Sequence, residues 1–252
     1  MKETYFNITY EFNQAEVDAA ISTMVELRES AYICVADGNI LTMVHNDIAY
    51  RETVAGAEFS ICDSGWVPLY LKRIYGIERQ QYCGAQIFRD IVSARKYKMA
   101  FLGTDDETLA DLRVAISEWN PGVVDMPFKS LPFCTVDAFD YPAIAHALEE
   151  QGAQVIWVAL GAPKQEQFMQ RLKPHLKHGV MIGVGAVFNF YSGRVKRAPK
   201  LLRTLHLEFA WRILTEPRKQ INRCLKIIMA LPRVYIKELN KATRLKGHDN
   251  KG

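Results

Sequence analysis

The sequence has little of what holds small or extracellular chains together. Its five cysteines (Cys34, Cys62, Cys83, Cys134 and Cys224) are odd in number and far apart, with no CxxC pair and no Cys/His cluster. That spacing suggests neither a disulfide framework nor a zinc site, and the thiols read as small core residues. The six histidines are equally scattered, and none is assigned a role. No run reaches the roughly 18 apolar residues of a membrane-spanning helix. The opening stretch, MKETYFNITYEFNQ, has no basic-then-apolar signal pattern, so the expectation is a protein made and kept in the cytoplasm. No internal repeat or low-complexity tract is visible.

Net charge is also low, at +4 over 252 residues, with 49% hydrophobic and 24% charged residues. Those values fit a soluble globular chain and exclude disorder or a collagen-like repeat. The small total conceals a split. Residues 1–193 hold 16 Lys+Arg and 24 Asp+Glu, a net of −8; residues 194–252 hold 16 and 4, a net of +12. Such asymmetry predicts an anionic partner for the basic part: nucleic acid, a membrane surface or a phosphorylated substrate.

Short, nearly continuous apolar runs at Tyr32–Ala36, Phe59–Cys62, Met99–Gly103, Val155–Leu160 and Val180–Val184 predict strands buried on both faces. Val123–Val124 is a weaker candidate. Between them Ala15–Arg28, Ile87–Tyr97, Glu107–Trp119 and Ile144–Gln151 have helical periodicity. Thr104, before Asp105, Asp106 and Glu107, reads as an N-cap. The alternation predicts an α/β fold: an open, mostly parallel sheet with helices on both faces over residues 1–193. From 194 to 252 no good strand follows. Leu201–Leu214 is helical in pattern, Thr215 caps a second segment that begins near Pro217, Pro232 interrupts it, and Val234–Arg244 continues it. This part reads as a basic, amphipathic helical appendage.

In open α/β sheets ligands bind beyond the carboxyl ends of the strands. The turns there are Asp63-Ser64-Gly65-Trp66, Gly103-Thr104-Asp105, Gly161-Ala162-Pro163-Lys164-Gln165-Glu166 and Gly185-Ala186-Val187-Phe188. In the third, Gly161 allows close backbone approach and Pro163 can start a helix. Lys164 beside a helix N-terminus suits phosphate, and Gln165 and Glu166 suit a sugar or base. Gly183-Val184-Gly185 begins like a dinucleotide fingerprint, but Phe188 occupies the place of the third small residue, which argues against an NAD site. Asp63, a lone carboxylate at a strand end, reads more simply by itself as a turn or N-cap aspartate. Asp105 and Glu107 have the spacing of an acidic metal motif, yet capping is the simpler reading, so neither a metal nor another cofactor is expected.

Three ordered blocks give the chain a specific resemblance. VALGAPKQEQF, GVGAVFNFYSGRVKRAP with Arg197-Ala198-Pro199, and LEFAWRILTEPRKQINR with Leu207, Glu208, Arg212, Glu216 and Pro217 resemble the blocks of the WecG/TagA/CpsF glycosyltransferases. These are bacterial enzymes that build lipid-linked cell-surface polysaccharides. Asp63 and Gly65 fall in the family's DG-type turn, and Arg79 and Gly84 in its arginine–glycine segment. The resemblance implies a Rossmann-like fold and an inverting, metal-independent transfer from a UDP-sugar to a sugar on a polyprenyl diphosphate carrier. It makes Asp63 the general base and Gln165 a holder of donor or acceptor sugar. Arg79, Arg197, Arg212, Arg218 and Arg223 are the candidates to meet the negative charge of the diphosphate, with the backbone N–H groups at Gly103, Gly161 and Gly185, and Pro163 is a further substrate-binding candidate. Two departures stand out. Asp37 occupies a position where the family has threonine, with Asn39 retained, so Asp37 is a second acidic candidate; and Ser64 replaces the usual glycine after Asp63.

The basic appendage has other readings. Nucleic-acid binding would call for a reading module or aromatic stacking platforms, and neither is visible. A non-catalytic membrane adaptor would leave the LGAPKQE stretch unexplained. The reading that joins both observations is an appendage that closes the active site and rests peripherally on the anionic inner face of the cell membrane. Its apolar residues could instead pack on the core or on a second subunit in a homo-oligomer.

Overall fold

The computed structural model describes residues 2–195, 211 and 217–249. Eight strands form one sheet: β1 (Glu3–Tyr5), β2 (Ile8–Glu11), β3 (Ser30–Ala36), β4 (Phe59–Cys62), β5 (Met99–Gly103), β6 (Phe128–Lys129), β7 (Val155–Ala159) and β8 (Gly179–Gly183). Their order is β1-β2-β4-β3-β8-β7-β5-β6, and every neighbouring pair is parallel except β1 with β2. The five apolar runs that predict strands are β3, β4, β5, β7 and β8.

Side chains alternate between the two faces, as a period of two requires. On β3, Tyr32, Cys34 and Ala36 enter one core cluster, and Ala31, Ile33 and Val35 enter the other. The first face is covered by α2 (Gly38–Asn46), α3 (Ile48–Ala55), α4 (Trp66–Tyr75), α7 (Tyr141–Glu150) and α8 (Lys164–Leu172). The second is covered by α1 (Gln14–Glu26), α5 (Gly84–Ala94), α6 (Asp106–Ser117) and α9 (Val187–Tyr191). Helices on both faces explain why the central strands are apolar throughout. Cys34, Cys62 and Cys224 are buried.

Three local expectations are corrected, and one element is new. Val123–Val124 is not a strand but part of a 3-10 turn, Pro121–Asp125, because Pro121 starts it and the Asn120 side chain accepts from the Gly122 N–H. Thr104 does not cap α6. It has a left-handed φ of 56°, and Asp105 takes the cap, accepting from the Thr108 N–H at 2.8 Å. The polar N-terminal stretch forms a hairpin, turned by Phe6 and Asn7 at φ 55° and 60°. These are the paired left-handed conformations that a two-residue hairpin loop needs.

The third correction concerns Pro232, which does not interrupt the last helix. α10 runs continuously over Pro217–Asp249. Pro232 is exposed, and buried anchors flank it: Cys224 and Leu231 before, Val234, Glu238 and Ala242 after. Packing on both sides outweighs the one hydrogen bond that proline removes. α10 lies against α2 and α4, and Leu231, Val234 and Ala242 belong to the same buried cluster as Tyr10, Ile40 and Leu71. The Glu238 carboxylate accepts from the Phe6 N–H at 3.1 Å and the Tyr75 hydroxyl at 2.9 Å. No described helix is long and apolar enough to cross a membrane. The helical expectation at Leu201–Leu214 and the Thr215 cap lie outside the described residues, Trp211 excepted.

Candidate active site

The parallel registers align the strand ends. Ala36 pairs with Cys62, Cys34 with Gly183, Val158 with Gly183, and Gly103 with Ala159. The residues that follow, Asp63, Asp37, Gly185, Gly161 and Thr104, therefore lie along one edge of the sheet in the strand order β4, β3, β8, β7, β5. Gly103, Gly161 and Gly185 all turn the chain there with positive φ.

Asp63 leaves β4 half-buried. Its Oδ1 accepts from the Gly84 N–H at 3.0 Å, at the start of α5, and its carbonyl accepts from Gln81 Nε2 at 2.7 Å. A helix N-terminus favours the ionised carboxylate and fixes its direction. A Cβ at 84 would lie 3.0 Å from Val35 Cγ1, so glycine lets α5 start close against β3. Next to Asp63, the Ser64 hydroxyl is buried with no hydrogen-bond partner among the described residues.

Asp37 leaves β3 and caps α2. Its Oδ1 accepts from the N–H groups of Asn39 at 2.8 Å and Ile40 at 3.0 Å. Asn39 is thereby fixed in the first turn of α2. The acidic candidate and the retained asparagine are tied together by one cap.

The LGAPKQE turn is built around Gln165. Pro163 stands at the N-cap of α8, as its ring permits. Gln165 is buried; its Oε1 accepts from the Gly161 N–H at 3.2 Å, and its Nε2 donates to Glu166 Oε1 at 2.6 Å. A backbone N–H can only donate, so the Gly161 partner settles which end of the amide is which. Across the gap lies β8, where a Cβ on Gly183 would sit 3.1 Å from Gln165 Nε2 and 2.8 Å from Met169 Cε. Any side chain at 183 would therefore push Gln165 aside.

Glu166 sits behind Gln165, fully buried, rather than reaching toward a ligand. Its Oε2 accepts from the Tyr50 hydroxyl on α3 at 2.9 Å. Burial pushes its carboxyl pKa up to about 7; the Asp37 carboxylate adds to the rise, and the hydrogen bonds from Gln165 and Tyr50 oppose it. A carboxyl raised in the folded state holds a proton that the unfolded chain has already lost. Its contribution to stability is therefore complete at low pH and is lost between the ordinary value of 4.5 and about 7. The loss is on the order of 3 kcal/mol. Glu166→Gln removes the titration, so its stability relative to wild type should climb with pH across that window, as measured by urea unfolding near pH 5 and pH 8. An unchanging difference would mean that Glu166 does not titrate there.

Other predicted residues point elsewhere. Lys164 Nζ donates to the Cys134 carbonyl at 2.5 Å and lies over the Phe139 ring at 4.9 Å. Arg79 is ion-paired with Glu3 at 2.5 Å, at the β1 edge, with its guanidinium over Phe12. Asp105 is occupied in capping α6, and Glu107 is paired with Arg194 at 3.1 Å. Arg197 and Arg212 lie outside the described residues, as do the side chains of Arg218 and Arg223. Tyr50 has no sequence signal. It is 116 residues from its partner, in a helix with no motif.

Gln165 reaches the end of β8, two strands from Asp63. Two strand spacings are about 10 Å. The family model for the glycosyl transferase WecG/TagA/CpsF family matches residues 6–244 of this chain.

Proposed function

Because the chain belongs to the WecG/TagA/CpsF family of glycosyltransferases, we propose that it moves a sugar from a UDP-sugar to a polyprenyl-diphosphate-linked sugar, with inversion and without a metal, in cell-surface polysaccharide synthesis. The observation that carries this reading is the pairing of Asp63 and Gln165 across the strand ends, each fixed by a backbone N–H. Asp63 takes the proton of the acceptor hydroxyl as that oxygen attacks the anomeric carbon. The bond from that carbon to the diphosphate breaks on the opposite face, and the electron pair leaves with the UDP. Gln165 still has one N–H and one oxygen lone pair with which to orient a sugar hydroxyl. Backbone N–H groups at the strand ends, and the arginines carried by the C-terminal block, offset the charge that develops on the diphosphate.

α10 supports a surface-bound enzyme. Its outward residues form two adjoining stripes at about 100° per residue. Ile221, Leu225, Ile228, Met229, Ile236 and Leu239 are exposed and apolar; Lys226, Arg233, Lys237, Lys241 and Arg244 lie beside them. An apolar stripe next to a basic one suits an anionic membrane face. The test is transfer from a panel of UDP-sugars (N-acetylmannosamine, its uronic acid, glucose and galactose) to a synthetic lipid-linked acceptor, run with EDTA. Transfer from one donor in EDTA is expected. No transfer from any donor overturns the reaction, and activity only with added divalent metal overturns its metal independence.

A further inference from the structure

A hydrogen-bonded network stands behind Gln165. The chain Tyr50 hydroxyl, Glu166 carboxylate, Gln165 amide, Gly161 N–H runs from α3 through α8 to the turn after β7, at 2.9, 2.6 and 3.2 Å. Tyr50 and Glu166 are buried behind Gln165, and their side-chain hydrogen-bond partners are one another and Gln165. The neighbouring contact Thr53 Oγ1 to Gln170 Oε1, at 2.9 Å, ties the same two helices together one turn further on. An apolar residue at 166 would fill this place at less cost than an ionisable one, since buried polar groups lose solvation that apolar groups do not. The carboxylate does one thing that an apolar residue cannot: it accepts from Gln165 Nε2, and so holds the amide with its oxygen toward Gly161 and its nitrogen beside Gly183 of β8.

We propose that Glu166, held by Tyr50, is a positioning residue for Gln165, setting the rotamer and the amide orientation with which Gln165 meets the transferred sugar. This rests on the reading of Gln165 as a sugar-binding residue. It assigns to Glu166 a role through Gln165 in place of contact with the ligand. Removing the acceptor frees the amide to rotate, and a misplacement of about 1 Å in a reacting assembly can cost about 100-fold in rate.

The experiment uses the full-length protein, the lipid-linked acceptor and the donor found active with wild type, with melting temperature recorded for each variant. Glu166→Leu should melt at or above the wild-type temperature yet lose about 10- to 100-fold in kcat. Glu166→Gln, whose carboxamide oxygen still accepts from Gln165, should recover to within about threefold of wild type. In a Gln165→Ala background, Glu166→Leu should cost nothing further, because the residue acts only through Gln165. If Glu166→Leu does not fold, Tyr50→Phe replaces it, with a smaller loss that also vanishes in the Gln165→Ala background. Equal activity of Glu166→Leu and wild type, or losses that add in the double variant, overturns the positioning role while leaving the transfer reaction intact. A wild type inactive with every donor overturns the reaction itself, whatever the variants do.

Discussion

Asp63→Asn is expected to lower kcat by about 10²- to 10⁴-fold while changing donor affinity by less than about threefold. The substitution keeps the shape of the side chain. Its carboxamide oxygen can still accept from the Gly84 N–H that holds Oδ1 at 3.0 Å, so the turn after β4 stays in place. What it loses is the ability to take a proton from the attacking hydroxyl. Asp37→Asn is the matched control. Asparagine caps a helix about as well as aspartate, so α2 keeps its bonds to the N–H groups of Asn39 and Ile40. That variant should retain most of its turnover. Steady-state kinetics on both, with donor binding measured by calorimetry, separates the two carboxylates. A severe Asp37→Asn and a mild Asp63→Asn would move the base from β4 to β3.

The elements that could be read from the sequence are those whose cause is local. β3, β4, β5, β7 and β8 are buried on both faces, so their residues are apolar in a nearly unbroken run. The turns after them carry Asp63, Asp37, Gly161 and Gly185 because parallel register puts every carboxyl end on one edge. Elements with a distant cause were not legible. The β1–β2 hairpin is turned by Phe6 and Asn7, neither of them glycine, and draws part of its support from Glu238 on the last helix. Tyr50 acquires its role only when α3 and α8 are side by side. Glu166 reads as a polar residue at a helix start, and its burial behind Gln165 depends on the whole first-face cluster. The proline at 232 is a strong local break signal that tertiary packing overrides.

The same packing bears on what happens when the chain is cut. Ending it at residue 216 is expected to lower stability by about 5 kcal/mol or more, a large part of what a domain of this size has. Composition alone suggests the opposite, a detachable basic arm and a folded core left behind. α10, however, contributes Leu231, Val234, Cys224 and Ala242 to the interior, each under 7% exposed. Each fully buried leucine or valine is worth about 1.5–3 kcal/mol. The cut also strips the acceptor from the Phe6 N–H and the Tyr75 hydroxyl, and uncovers Tyr70, which packs edge-on against Tyr235 with ring centres 5.0 Å apart. Urea unfolding of the shortened and full chains, followed by far-UV circular dichroism, measures the loss directly. A shortened chain with the wild-type midpoint would place α10 outside the cooperative unit. Exchanging Lys226, Arg233 and Lys237 for glutamate is the complementary change, since these residues are exposed and bury nothing. It should leave the midpoint within about 0.5 kcal/mol of wild type in stability while abolishing sedimentation with vesicles rich in anionic lipid. The two results together would separate the inward face of α10, which holds the fold, from the outward face, which meets the membrane.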